Sequence, residues 1–250
     1  MKSHSYCRGW FSVAVVAGIV LAVLLGLRFL YTQPTKLRFR LDAKHQRDVI
    51  AVNWSWWNRL IDLIQGRRYI VLTFDDGPAG GGIDEDILST LRHYNAKALF
   101  FFVCSRITPD REHILREIQK SGSIIGDHSY THPHLRTLDS LQLRHQIVGC
   151  KDYLRKLDGV APRYFRPPFG ETSNHIEQVE RAAHLRQMLW SANSFDVLWH
   201  RPSVITQWAL REAHNRAILL MHSRRSTAKA LPQILRKLRR AGYRFVLPNG

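Results

Sequence analysis

From Tyr69 onward the chain alternates short apolar runs with stretches in which apolar residues recur every three or four positions. The runs read as strands over 69–74, 98–103, 123–126, 163–165, 187–189, 217–221 and 244–247, being short, apolar and bounded by turn-forming residues. Segments near 84–94, 110–121, 139–157, 173–184, 203–214 and 226–241 carry the helical period, and Asp110, Asp139, Ser173 and Ser203 stand where N-caps are expected. Strand and helix alternating this regularly predict parallel strands with helical crossovers, in a barrel or a doubly wound sheet.

The pattern upstream is different. Phe11 to Leu27 is seventeen residues without a charge, and with Phe29, Leu30 and Tyr31 it reaches the roughly 20 residues that a membrane-spanning helix needs. No small-x-small cleavage site follows before Pro34, so residues 1–31 read as a retained anchor (helix about 11–30) rather than a removed leader. Residues 32–66 begin as a basic tether and continue into AVNWSWWNRLIDLIQG, where Trp54, Trp57, Ile61 and Ile64 share one helical face. Residues 67–250 are left as the main folded domain. Basic residues near the span are more numerous after it than before, which argues for a cytoplasmic domain. Long domains cross despite such charge, and an extracytoplasmic position is the expectation.

Composition adds two points. The chain of 250 residues is 45% hydrophobic, enough for one core of ordinary size, and its formal charge of +17 draws it to polyanions. Eight Lys or Arg and no acid lie between Arg224 and Arg244, on a segment whose Leu231, Ile234, Leu235 and Leu238 have helical spacing. This is a solvated basic helix face; no nucleic-acid recognition motif accompanies it, and no specific nucleic acid is expected. Cys7, Cys104 and Cys150 show no paired framework, so Cys104 and Cys150 are expected to be buried, unpaired, small apolar residues.

Candidate chemistry comes from the polar residues that follow the strands. Asp75-Asp76 follow the first, Asp127-His128 the third, Arg166 the fourth, Asp196 the fifth within several residues, and His222 the sixth. Loops at the carboxyl ends of parallel strands converge on one face, so these groups are expected in one cavity. Two adjacent carboxylates repel unless something positive lies beside them, and a metal ion or an arginine would serve. Gly77-Pro78 would turn the chain after a strand ending at Phe74, freeing both carboxylates to face one pocket. In DHSYTHPHL, residues 127–135, His128 and His132 have the spacing of a divalent-ion pair, and two His with one carboxylate leave a position open for water. His134 is expected beside the site or exposed.

TFDDGP at 73–78, HSYTH at 128–132, RPPFG at 166–170 and LLMH at 219–222 resemble, in order, the motifs of the polysaccharide deacetylases, a family that includes chitooligosaccharide and peptidoglycan N-deacetylases. The resemblance covers about residues 69–247. It implies a distorted (β/α) barrel of about seven parallel strands and metal-dependent hydrolysis of an N-acetyl group on a cell-envelope amino sugar, releasing acetate. By motif position, Asp76, His128 and His132 would hold the metal, zinc first, with cobalt or another divalent ion as alternatives. Asp75 would be the general base, Arg166 its orienting partner, His222 the general acid, and the Phe169 backbone NH an oxyanion donor. The family's Asp-x-x-Asp-Trp element is altered: Asn193 and Val197 stand at the first and last of these places, and Asp196 keeps the second Asp, assigned to tuning His222. Trp199 is a candidate replacement for the missing tryptophan. Two further readings remain: deacylation or deformylation of a lipid-linked amino sugar, motivated by the anchor and the Trp-rich segment, and an inactive glycan-binding relative, motivated by the altered element.

Overall fold

The computed structural model describes residues 68–248; the anchor, the tether, the Trp-rich segment and Cys7 lie outside the described residues. The described residues form eight strands: β1 (Arg68–Gly77), β2 (Ala98–Phe102), β3 (Ile124–Asp127), β4 (Tyr164–Phe165), β5 (Arg186–Gln187), β6 (Ala192–Asn193), β7 (Ala217–His222) and β8 (Tyr243–Phe245). Every ladder is parallel, and seven strands follow one path in the order β5-β4-β3-β2-β1-β7-β6, with β8 pairing the start of β1. Crossover helices are α1 (Ile83–His93), α2 (Glu112–Lys120), α3 (Ser140–Arg144), α4 (Cys150–Asp158), α5 (Asn174–Ala182), α6 (Pro202–Glu212) and α7 (Arg225–Arg240). This is the half-barrel form of a (β/α) barrel: the path ends at β5 and β6, and no ladder joins them among the described residues.

The apolar runs become strands because they are buried on both faces. Ile70, Val71, Leu72 and Phe74 in β1 and Ala98 to Phe102 in β2 are fully buried, as parallel strands sandwiched by helices must be. Phe74 stacks on Phe100 with ring centroids 5.2 Å apart. In α7 the stripe of Leu231, Ile234, Leu235 and Leu238 is buried while Lys229, Arg236, Lys237, Arg239 and Arg240 are exposed, as the helical period requires.

Several expectations need correction. β6 shows no apolar run in sequence; Ala192 and Asn193 become a strand only by pairing with Leu219 and Leu220. The helix expected over 139–157 is interrupted by a π-helical segment, His145–Gly149, between α3 and α4. Asp139 and Ser173 do cap α3 and α5, but α2 begins after Arg111 rather than Asp110, and α6 begins at Pro202 after Arg201 rather than Ser203. Pro202 explains the last case, since its missing NH and fixed φ suit the first helical position.

The cysteines are the largest correction. Cys104 and Cys150 form a disulfide with Cα atoms 5.5 Å apart. Sequence spacing gives no hint of it, because the fold alone brings the segment after β2 against the start of α4. The bridge closes a loop with a sequence separation of 46 residues, which in the chain-entropy account stabilises the folded state by about 4 kcal/mol. Adding reductant is therefore expected to lower the unfolding free energy by that amount, read as a fall in the denaturant midpoint; an unchanged midpoint means the two sulfurs are not joined.

Candidate active site

β1 does not stop at Phe74. It runs to Gly77, and its pairing with β2 slips between Asp75 and Gly77, so Asp76 occupies a bulge with φ 69°. A bulge suspends the alternation of side chains, which is how two neighbouring carboxylates come to serve one pocket. Gly77 is required beside them: a Cβ there would lie 2.4 Å from the Phe102 ring. His132 and Phe169 share the left-handed conformation of Asp76, with φ 63° and 58°. Non-glycine residues held there cost of order 1 to 3 kcal/mol each and concentrate at functional sites.

The two aspartates share His128, whose Nε2 lies 3.8 Å from Asp75 Oδ2 and 4.0 Å from Asp76 Oδ1, and differ in their other partners. Asp75 is 3% exposed and accepts a 2.7 Å hydrogen bond from Arg166 Nη1. Arg166 is fully buried and donates also to Thr73 Oγ1 at 2.9 Å, Met188 O at 2.9 Å and Leu189 O at 3.0 Å, while its guanidinium lies 4.3 Å from the Phe101 ring centroid. The Arg166 carbonyl accepts from His128 Nδ1 at 2.6 Å, which leaves Nε2 of that imidazole as the lone-pair nitrogen. One residue therefore orients both a carboxylate and an imidazole.

Asp76 instead stands with the two histidines. Its Oδ1 is 3.4 Å from His132 Nε2 and 4.0 Å from His128 Nε2, and one ligand atom from each of the three residues lies within 4.8 Å of the others. The same Oδ1 is buried with no hydrogen-bond partner. An orphaned carboxylate oxygen facing two imidazoles is a donor set that fits a divalent cation, with nitrogen and oxygen ligands of the kind zinc takes. Burial lowers the pKa of His128 to about 3 and lowers that of His132, so both rings are neutral and able to ligate. Burial pushes Asp76 upward, but positive charge nearby, His222 first and Arg106 with it, outweighs burial and holds the carboxyl below its usual range. For Asp75 burial prevails over Arg166 and His222, and its pKa is raised.

Across the pocket, His222 ends β7, in register with Asp75. Its Nδ1 bonds Asp196 Oδ1 at 2.7 Å, its backbone NH donates to Asp196 Oδ2 at 2.7 Å, and Thr227 Oγ1 donates to the same oxygen at 2.5 Å. Burial pulls the His222 pKa down, but Asp196 and the two site aspartates prevail and raise it. Asn193, at the altered position, accepts from the Phe195 NH at 2.7 Å, and Phe195 has φ 54°; the amide side chain thus shapes the turn that presents Asp196. Phe169 is 51% exposed, with its ring centroid 4.8 Å from His132 and stacked 4.1 Å from His134. His134 is exposed and pairs with Glu171 at 2.8 Å. Trp199 and Val197 are exposed on the turn after Asp196.

The fold thus brings Asp75, Asp76, His128, His132, Arg166, Asp196 and His222 to the carboxyl end of the sheet. Three neighbours escaped the sequence reading. Arg106, in the loop after β2, donates to Asp76 O at 2.5 Å and lies 3.6 Å from its Oδ1. Thr73 and Thr227 hold Arg166 and Asp196. Arg106 follows the second strand, but no motif or spacing distinguishes it from the chain's other basic residues.

Residues 63–188 match the family described as polysaccharide deacetylase. The chain is 32% identical over 205 residues to a peptidoglycan-N-acetylglucosamine deacetylase of Bacillus cereus, covering 78% of this chain and 74% of that protein. It is 33% identical over 180 residues to the peptidoglycan-N-acetylglucosamine deacetylase PgdA of Listeria monocytogenes, covering 72% of this chain but only 38% of that relative. Among solved structures, peptidoglycan deacetylase PdaC from Bacillus subtilis superposes with a TM-score of 0.68 at 29% identity, covering 72% of this chain and 88% of the other. A CE4 family pseudoenzyme from Bacillus anthracis superposes at 0.67 and 27% identity, covering 72% and 63%, so likeness of fold does not by itself carry activity.

Proposed function

Because the chain belongs to the polysaccharide deacetylase family, we propose that it hydrolyses the N-acetyl group of an amino sugar in a cell-envelope glycan, with peptidoglycan as the first candidate substrate. The observation that carries this reading is the division of labour at the end of β1: Asp75 bonded to a buried arginine, Asp76 facing two neutral imidazoles with an oxygen that accepts no hydrogen bond. Asp76, His128 and His132 would hold a divalent ion, zinc first, and such an ion supplies Lewis acidity toward the amide carbonyl and acidifies water.

The remaining chemistry belongs to the chain's own groups. Asp75 takes a proton from the attacking water, with Arg166 holding the carboxylate in one orientation. The Phe169 backbone NH donates to the oxygen that becomes negative as the carbonyl carbon turns tetrahedral. His222 gives a proton to the departing amine, which is a poor leaving group until protonated. Asp196 keeps that imidazole oriented and charged. Acetate and a free amino sugar result.

The test is acetate release from acetylated chitooligosaccharide, peptidoglycan and a lipid-linked amino sugar, each assayed with several divalent ions. Release from one of the polymeric glycans supports the proposal. Turnover of the lipid-linked sugar alone moves the substrate class, and binding without turnover under every ion leaves a glycan-binding protein.

The His222–Asp196 pair has a pH signature. A general acid must carry its proton, so activity falls as pH rises through the pKa of His222, which Asp196 raises. Asp196→Asn removes the anion, lowers that pKa and is expected to move the alkaline limb of the pH–rate profile to lower pH, with a loss of about tenfold or more on the alkaline side. An unmoved limb with a uniformly lower rate would mean that Asp196 only supports the fold.

We place the domain outside the cytoplasm, anchored through the apolar run at 11–27. Among the described residues no helix is long and apolar enough to cross a membrane, and the run lies outside them. The Cys104–Cys150 disulfide supports this compartment, because such bonds persist where the surroundings are oxidising.

A further inference from the structure

The starts of β1, β7 and β8 are level in the sheet: Ile70 is in register with Ala217, and Arg68 with Tyr243. The turns that precede these strands, and the end of α1, therefore meet at the face opposite the site. That face is basic. Arg68 donates its backbone NH to Gly242 O at 3.3 Å and lies with its Cζ 5.7 Å from the Tyr243 ring; Arg216 donates its backbone NH to Tyr69 O at 2.6 Å; Arg239 reaches Tyr94 O, at the end of α1, at 2.7 Å. Arg240 and Arg244 flank the turn between α7 and β8. All five arginines are exposed, and no ion pair joins any of them to a carboxylate among the described residues.

Acids are scarce nearby. After Asp196 the chain has eleven Lys or Arg and one acid, Glu212. Glu117, toward the same end of α2, is already engaged by Lys120 at 3.1 Å and Arg92 at 4.0 Å. The carboxylates collect instead at the other end of the sheet, where Asp75, Asp76, Asp84, Asp127 and Asp196 lie after or beside the strand ends. The domain is electrically polar, with its positive pole where the chain enters β1 from the 67 residues that precede it.

We propose that this positive face docks on an anionic phospholipid surface. Arginine clusters next to a membrane-attached segment are drawn to acidic headgroups, and the attraction falls off within a Debye length, so the face must lie close to the bilayer to feel it. The chain enters β1 at that face, which keeps it within reach of whatever the preceding segment is attached to. Docking this way turns the pocket of Asp75 and His222 away from the bilayer, toward glycan in the surrounding wall rather than toward lipid-linked sugar. A second surface competes for the same role: Val197, Leu198 and Trp199 are exposed apolar residues beside the site. Insertion there would turn the pocket toward the membrane.

The inference uses membrane attachment but not the deacetylase chemistry, and its test reads neither activity nor metal. The full chain, with Cys7→Ser, carries a fluorescent label at Ala241→Cys in the α7–β8 turn or at Val197→Cys. Each is mixed with phosphatidylcholine vesicles, or with vesicles about a third phosphatidylglycerol, both containing a headgroup quencher. The expected result is quenching of the Ala241 label about threefold stronger on the anionic vesicles, lost when salt rises from about 0.05 to about 0.5 M. It should also be lost when Arg216, Arg240 and Arg244 are all changed to Gln, exposed positions where the change is expected to leave the melting temperature unmoved. Flotation with phosphatidylcholine vesicles reports the anchor separately. Equal quenching on both vesicles, stronger quenching of the Val197 label, or a response of the Ala241 label to duplex DNA and none to anionic vesicles would each overturn the proposal.

Discussion

Asp75→Asn is expected to lower kcat/KM for acetate release by about 10³-fold, a loss of about 4 kcal/mol in transition-state stabilisation, while the metal bound per chain stays the same. The asymmetry follows from geometry. Asp75 Oδ1 is engaged by Arg166, and Asp75 is absent from the set whose ligand atoms cluster, which is Asp76, His128 and His132. Asparagine keeps the size of the side chain and an oxygen for Arg166 but has no basic site for a proton. Asp76→Asn should reduce activity as far by another route, with metal lost, because it weakens the one anionic member of the ligand set. Measuring metal content beside the rate separates the two. Metal loss from Asp75→Asn, or activity that survives it, would exchange or dissolve the roles assigned to the pair.

The alternation of strands and helices could be read along the chain because burial on both faces of a parallel sheet demands apolar runs, and helices packed on that sheet demand a 3.6-residue stripe. Features set by partners distant in sequence could not. Ala192-Asn193 is a strand only because Leu219 and Leu220 offer it hydrogen bonds, and no local composition marks it. The disulfide joins residues 46 apart whose spacing carries no information until β2 and α4 are placed. Within the site, the motif residues were legible as chemistry falling after strands, whereas Arg106 is one among 37 Lys and Arg and has no signal of its own. The opening of Asp75 and Asp76 toward one pocket was anticipated, but through the wrong device: the strand does not end, it bulges.

Arg166 is the position where stability and chemistry are expected to fail together. It is fully buried, it supplies the main positive charge opposing burial of Asp75, and its side chain also satisfies Thr73, Met188 and Leu189. Arg166→Met preserves most of the volume but leaves a carboxylate and two carbonyls without a donor. Breaking a buried pair from one side typically costs about 3 to 5 kcal/mol, so the denaturant midpoint should fall accordingly. The pH dependence has a definite sign. Asp75 already has a raised pKa; without Arg166 it rises further, the base stays protonated to higher pH, and the acidic limb of the rate profile moves upward. Folding stability follows the same group. Because its folded pKa is raised above the unfolded value, Asp75 destabilises the fold as pH climbs past the unfolded value, and more so in the variant, which should therefore lose relatively less stability in acid than at neutral pH. Arg166→Lys restores charge without the planar fork that reaches four acceptors, so it should recover part of the acidic-limb position and little of the rate. A variant with an unmoved acidic limb would show that Arg166 braces the pocket wall without tuning the base.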